Sequence, residues 1–185
     1  MSTDAPLLPP VLHTERLVLR PMLVSDAPRL FEMRSDPRVM AFIPRPMSRS
    51  VEDAEALVRT IEADIDAQRS LIWAMAEKVR PEDLIGTVGF HRTAHADRRS
   101  ELGYAMLPAY WGRGLMSEAV AAVIPHGFDV LGFHRISAIT DPRNAASNAL
   151  LLRHGFKQEG HLREDLLHEG RFLDSLIFGL LRSDR

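Results

Sequence analysis

The stretch "ELGYAMLPAYWGRGLMSEAV", residues 101–120, decides how this chain is folded. Its first part reads as a strand, and its second part is a helix pattern that opens on Gly112 and Gly114. Glycine costs backbone entropy, so a pair of them at the mouth of a helix needs a reason. A tight turn is one reason. The other is that both residues leave their N–H groups uncovered, so that an anion can rest on the helix N-terminus, where the backbone dipole favours negative charge. A strand, then a helix, then the buried strand "HRISAIT" (134–140) makes a parallel step. Open sheets bind ligands beyond the carboxyl ends of such strands, which points to the end of the first one.

Working outward, "LIWAMAEK" (71–78), "LIGTVGFHR" (84–92) and "SELGYAML" (100–107) are three strand-like runs separated by polar segments, the pattern of an antiparallel meander. Upstream, "ERLVLRPM" from Glu15 alternates apolar and polar residues as a half-buried strand does. A short helix begins near Ser25, with Ser25 or Asp26 as its cap and Pro28 in its first turn. "MAFIPRPMS" (40–48) then interrupts regular structure before a helix from about Val51 to Gln68, whose packed face is Val51, Ala54, Leu57, Ile61 and Ile65. Downstream, the glycine-opened helix runs from Leu115 to about Leu131, and Pro125 inside it predicts a kink. "NAASNALLLRHG" (144–155) reads as a helix capped by Asn144 and ended by Gly155, and "SLIFGLL" (175–181) as the last strand of a terminal hairpin. This order predicts an α/β protein with a mixed, mostly antiparallel sheet flanked by helices.

Composition narrows the function classes. A chain of 185 residues with 45% hydrophobic content suits one domain, with residues 1–13 as a mobile, extended lead-in marked by Pro9 and Pro10. Lys and Arg number 23 against 25 Asp and Glu, a net charge of -2, which argues against nucleic acid or anionic membrane as partner. With no cysteine, disulfides, thiolate metal sites and a cysteine nucleophile are excluded. The eight histidines are scattered, and His91 and His95 read as ordinary surface residues, so no metal site is expected. "MSTDAPLLPPVLH" does not resemble an export signal and no apolar run is long enough to span a bilayer, so a cytoplasmic protein is expected.

The glycine stretch lacks the lysine and hydroxyl residue of a P-loop and the third glycine of the dinucleotide fingerprint. Residues Trp111-Gly112-Arg113-Gly114-Leu115-Met116 instead resemble the acyl-coenzyme A loop of the GNAT acetyltransferases, written R/Q-x-x-G-x-G/A. The likeness extends from "TERLVLRPM" through "ELGYAMLPAYWGRG" to "DPRNAASNALLLRHGFKQEGHLRE", and it is nearest to the branch that includes the ribosomal-protein N-terminal acetyltransferases RimJ and RimL. Asn144 and Ser147, followed by Gly155-Phe156, match that branch in order and spacing. The resemblance implies that loop amides hold the coenzyme A diphosphate, that the strand ending at Met106 and Leu107 pairs with the pantetheine arm, and that Asn144 and Ser147 lie beside it. It also implies that backbone N–H groups near Met106 polarise the thioester oxygen and that Glu101, acting through water, accepts the proton of the incoming amine.

Departures from the family pattern carry their own expectations. Met116 replaces a small residue, so its side chain must point away from the phosphates, and Trp111 replaces Arg or Gln. Leu151 stands where many members carry a tyrosine acid, which leaves Ser147, or a water it holds, as the nearest substitute. Plain alternatives stand beside these roles. Glu101 could pair with Arg98 or Arg99, Asn144 could be only a helix cap, and Tyr110 and Trp111 fit better as residues that fix the loop than as ligands. For Arg113 a phosphate contact is the better reading.

The acceptor pocket is expected to form from "MAFIPRPMS" and from "REDLLHEGRFL" (163–173), with Glu164, Asp165 and Glu169 supplying a negative field for a cationic amine. Three functions fit. The first is transfer of acetyl from acetyl-CoA to a protein or peptide α-amine, such as that of a ribosomal protein; the second is acetylation of a small amine; the third is acyl-coenzyme A binding without turnover. The outer face of the last hairpin is where a homodimer would form.

Overall fold

The run 71–77 is apolar at almost every position, so it can only be a strand with a packed layer on each side, and the rest of the fold follows from that. The computed structural model describes residues 8–185. Its sheet has eight strands in the order β1-β2-β3-β4-β5-β6-β8-β7. These are β1 (Leu12–His13), β2 (Leu17–Pro21), β3 (Leu71–Glu77), β4 (Gly86–Ala94), β5 (Arg99–Met106), β6 (Arg135–Thr140), β7 (Lys157–His168) and β8 (Arg171–Leu181). Every neighbouring pair is antiparallel except β5 with β6, the parallel step that the glycine-opened helix makes possible.

Because side chains alternate across a strand, β3 sends Leu71, Trp73 and Met75 to one face and Ile72 and Ala74 to the other. The first face packs on α4 (Leu115–Pro125) and α5 (Ala145–Arg153), and Leu115, Met116, Ala119, Val120, Val123 and Leu151 all enter its core. The second face is covered by α1 (Ala27–Ser35), the one-turn α2 (Pro37–Met40) and α3 (Val51–Asp66), through Leu30, Met33, Ala54 and Val58. The packed face of α3 is close to the expected one but centred on Val58, which the expected set lacks, with Leu57 and Ile61 at its margin.

Four expectations need adjustment. Residues 10–13 are extended but tied down: Leu12 and His13 pair with Leu19 and Val18, and the carbonyl of Pro10 accepts the indole N–H of fully buried Trp73 at 2.7 Å. The remainder of the lead-in, residues 1–7, lies outside the described residues. The short helix expected near Ser25 is α1, with Asp26 at its N-cap position and Pro28 in its first turn, but a 3-10 turn, Val24–Asp26, precedes it and a second short helix, α2, opens at Pro37, which needs no N–H donor there. The α-helical part of α4 ends at Pro125 and residues His126–Val130 continue as a π-helix, so the missing N–H is absorbed by a wider turn. Gly155 sits one residue beyond the α5 cap His154, with φ of 84°.

Candidate active site

The site begins where β5 and β6 part. They pair only at Arg99↔Arg135, Ser100↔Ile136 and Glu101↔Ser137, whereas β5 stays paired with β4 as far as Met106↔Gly86. The N–H of Leu107 donates to the carbonyl of Ile85 at 2.9 Å. With the two-residue alternation of an antiparallel ladder, Glu101, Gly103 and Ala105 bond towards β4. The N–H and C=O groups of Leu102, Tyr104 and Met106 face the gap left by β6. The indole N–H of Trp111 takes the Met106 carbonyl at 2.7 Å, so Trp111 does pin the loop to the strand. The Met106 N–H still points into the gap, the place the resemblance gives to the thioester oxygen.

At the end of β5, Leu107 leads through the turn Pro108–Tyr110 into the glycine loop. Gly112 and Gly114 both take left-handed backbone angles, φ 71° and 75°. A Cβ built on Gly112 would have no heavy atom within 4 Å, so the space above that amide is open. Helix α4 starts at Gly114 with no side-chain cap, unlike α3, capped by Ser50, and α5, capped by Asn144. Its first-turn amides are therefore left for a ligand, and this fits a diphosphate. Leu115 and Met116 turn their side chains into the core, as the departure at Met116 requires.

Arg16 braces this loop from the N-terminal edge, a role that sequence reading missed. Its guanidinium donates to the Arg113 carbonyl at 2.9 Å and lies 3.6 Å from where a Cβ on Gly114 would stand. The carboxylate of Glu118 in the first turn of α4 holds Arg16 at 2.7 Å and also accepts from Thr14. Burial raises the pKa of Glu118, but the bonds from Thr14 and Arg16 outweigh it and keep the group ionised below its ordinary range. Arg113, expected on a phosphate, is ion-paired with Glu77 at 2.8 Å and lies over the Tyr110 ring. Replacing Gly112 by alanine is expected to weaken acetyl-CoA binding about tenfold. The protein offers the new methyl no clash, so the cost beyond roughly 1–2 kcal/mol of backbone strain falls on the ligand. Titration calorimetry checks this, and unaltered affinity would place the diphosphate elsewhere.

Across the gap, Asn144 caps α5 by accepting the Ser147 N–H at 3.1 Å. This aims Ser147 at β5, where its Oγ lies 2.7 Å from the Tyr104 hydroxyl. Burial pushes the Tyr104 phenol up to about 12 against the opposing effect of that hydrogen bond, so it stays protonated. Ser117 and His154, 2.9 Å apart, tie the first turn of α4 to the end of α5. Leu151 is fully buried in the core and takes no part in this polar group.

Tyr104 and Ser147 lie on the α4/α5 face, whereas alternation along β5 puts Glu101 on the face covered by α1–α3. There Glu101 lines a cleft of about 490 Å³. The walls of this cleft are residues 40–45 and Met47, the end of β6 from Ile139 to Asp141, and the hairpin residues Asp165, Leu166, His168, Glu169, Leu173, Asp174 and Ser175. The two segments expected to build an acceptor pocket do meet here, although Glu164 faces a neighbouring hollow. The partner of Glu101 is Arg92 at 2.9 Å, and neither Arg98 nor Arg99. Arg98 instead bonds the Gly132 carbonyl and Arg99 pairs with Asp97. Asp141 is held by Arg143, whose hydrogen bonds lower its pKa, and Asp174 by the Glu164 N–H and His161. Among the described residues, Asp165 and Glu169 have no ion-pair partner, so the hairpin side of the cleft keeps a negative rim, while Arg45 is a cation in the wall formed by residues 40–45.

An uncapped helix behind two left-handed glycines, a strand edge left open beside it, and a carboxylate on the far side of the gap are features that fit an acyl-coenzyme A dependent acyltransferase. The acetyltransferase (GNAT) domain family matches residues 16–157. YoaA of Bacillus subtilis (strain 168), described as an uncharacterized N-acetyltransferase, is 35% identical over 173 residues, 94% of this chain and 97% of that protein. The ribosomal protein uS5-alanine N-acetyltransferase of Escherichia coli (strain K12) is 33% identical over 104 residues, 56% of this chain and 54% of that one. In fold, the chain matches Mycobacterium smegmatis RimJ, solved with CoA-disulfide, with a TM-score of 0.85 at 23% identity, covering 94% of this chain and 88% of that one. The chain belongs to the GNAT acetyltransferase family, and it is an N-acetyltransferase that uses acetyl-CoA.

Proposed function

We propose that the acceptor is a protein or peptide N-terminal α-amine, of the kind a ribosomal protein presents in the cytoplasm, and that it attacks directly in a ternary complex. The observation that carries this reading is the gap between β5 and β6. It opens the sheet between a face built for the coenzyme and a face that holds Glu101 in a cleft wide enough for a peptide end. The acetyl thioester is the chemistry that bound acetyl-CoA supplies; this chain's residues do the rest. The amides of residues 112–116 and the braced Arg16 hold the diphosphate, the open edge of β5 aligns the pantetheine arm, and the Met106 N–H polarises the carbonyl.

Glu101 takes the amine proton. An α-amine with pKa of about 8 is roughly one-tenth neutral at pH 7, against a few parts in ten thousand for lysine, so the α-amine asks less of that carboxylate. On the other face Ser147 gives its proton to the departing sulfur and regains one from solvent, held in place by the hydrogen bond from protonated Tyr104, while Glu101 releases the amine proton to solvent on its own side. Ser147→Ala should lower kcat by about 10²-fold, within the range for a general acid. Tyr104→Phe should lower it only about fivefold, the worth of one neutral hydrogen bond. Equal rates for Ser147→Ala and the unmodified chain would remove Ser147 from the mechanism.

The unpaired Asp165 and Glu169 favour a second reading, in which the acceptor is a small polycation such as a polyamine. Thiol release with alanine- and serine-initiated peptides, spermidine and aminoglycosides decides between them. The peptide reading requires that kcat/KM for a peptide exceed that for every small amine, and the reverse order overturns it.

A further inference from the structure

Arg92, like Arg45, is a cation of the acceptor cleft that the reaction above leaves unused, and it alone of the two is paired with Glu101. Regular alternation would send its side chain to the α4 face, because His91 stands opposite Glu101 and successive residues point to opposite sides. Instead, the β4–β5 register slips between His91 and Ala94, and Arg92 takes a left-handed backbone with φ of 50°. Bulges of this kind re-aim a side chain. This one turns the guanidinium back across the strand, so that Nη1 lies 2.9 Å from Oε2 of Glu101.

The bulge is held by specific bonds. Thr93 donates its N–H to the Arg69 carbonyl at 3.0 Å, and its hydroxyl lies 2.9 Å from that of Ser100. Ser100, 2% exposed, donates in turn to the His91 carbonyl at 2.9 Å. The resulting ion pair is lopsided. The Arg92 side chain is 63% exposed and that of Glu101 23%, so the cation lies on the outer side of the carboxylate it neutralises. An ion pair with so exposed a partner is held weakly and opens easily.

We propose that Arg92 is a built-in stand-in for the acceptor: its guanidinium holds the ammonium position at Glu101 until an incoming amine displaces it. Every amine must then displace Arg92 to reach Glu101, so Arg92 is a residue that sets the affinity threshold an acceptor has to exceed with its other contacts in the cleft. The proposal rests on the reading of Glu101 as the group that meets the amine.

The test measures binding of an alanine-initiated peptide amide and of spermidine to the CoA-saturated protein by titration calorimetry, alongside KM and kcat from thiol release. Arg92→Gln should tighten acceptor binding about two- to fivefold, the range of a weak exposed ion pair, with the gain in KM and Kd. Arg92→Lys should keep the original affinity. In a Glu101→Gln background, Arg92→Gln should have no effect on affinity, because the site for which the two cations compete is gone. Unchanged or weakened binding in Arg92→Gln overturns the proposal, and weakening would mark Arg92 as a contact for the acceptor itself. Failure of the underlying reading shows separately, as a Glu101→Gln variant that keeps its kcat.

Discussion

Glu101→Gln is expected to lower kcat by about 10²- to 10⁴-fold while leaving acetyl-CoA affinity unchanged. The amide keeps the shape of the carboxylate but cannot take a proton, and the amine must lose one to become a stable amide product. Every contact assigned to the coenzyme lies elsewhere, on Arg16, on residues 102–116 and on the α4/α5 face, so binding has no reason to change. Glu101 is also the last residue of β5 paired with β6, at Ser137, which places its backbone rigidly at the point where the strands separate. Thiol release at saturating acetyl-CoA and acceptor measures the effect. A kcat equal to that of the unmodified chain would take Glu101 out of the chemistry and leave it as the partner of Arg92.

The largest effect on stability is expected from Asp26→Ala. The Asp26 side chain is 1% exposed and that of Arg20 13%, and they meet through two bonds of 2.8 and 2.7 Å. Asp26 also accepts the Leu23 N–H at 2.8 Å. Arg20 spends its remaining donors on the carbonyls of Pro21, Pro81 and Glu82, so this one pair joins β2, the turn into α1 and the loop between β3 and β4. The hydrogen bonds to Asp26 raise the pKa of Arg20, and even without them a guanidinium stays charged at neutral pH, so removing the partner leaves a buried cation. Breaking a buried pair from one side costs about 3–5 kcal/mol, a large part of the roughly 5–15 kcal/mol that keeps a domain folded. Urea unfolding should show the loss. Arg20→Met together with Asp26→Leu should recover most of it, because no uncompensated charge remains. A loss below about 1 kcal/mol for Asp26→Ala would mean that water or a rearranged partner replaces the carboxylate.

What could be read from the sequence was what repeats locally. The strands of the meander, the packed face of α3, the Asn144 cap and the paired glycines each write their signal within a few residues, through side-chain period or through a backbone angle that few residues adopt. The features that failed to show are those in which distant residues meet. Arg16 and Glu118 are 102 positions apart and Tyr104 and Ser147 are 43 apart, and nothing near either residue marks the partner. Arg92 was hidden for a different reason. Periodicity assumes an unbroken register, and the one-residue slip in β4 reverses the face on which a side chain emerges. For the same reason Glu101 was given the wrong neighbours in sequence, Arg98 and Arg99, when its partner comes from the adjoining strand. The π turn after Pro125 was legible as a disturbance, though its form depends on how the following residues pack.

The short join between β5 and β6 has a mechanical meaning. Strands β1–β5 and β6–β8 form two plates fastened by three rungs, from Arg99–Arg135 to Glu101–Ser137, with the final rung at the mouth of the gap. Any tilt of one plate against the other changes the width of the slot and, with it, the spacing between Tyr104 on the first plate and Ser147, whose helix rides on the second. On the function proposed, a molecule lying in the slot along β5 would bear on both plates at once, so the guest would itself set the alignment on which its own reaction depends.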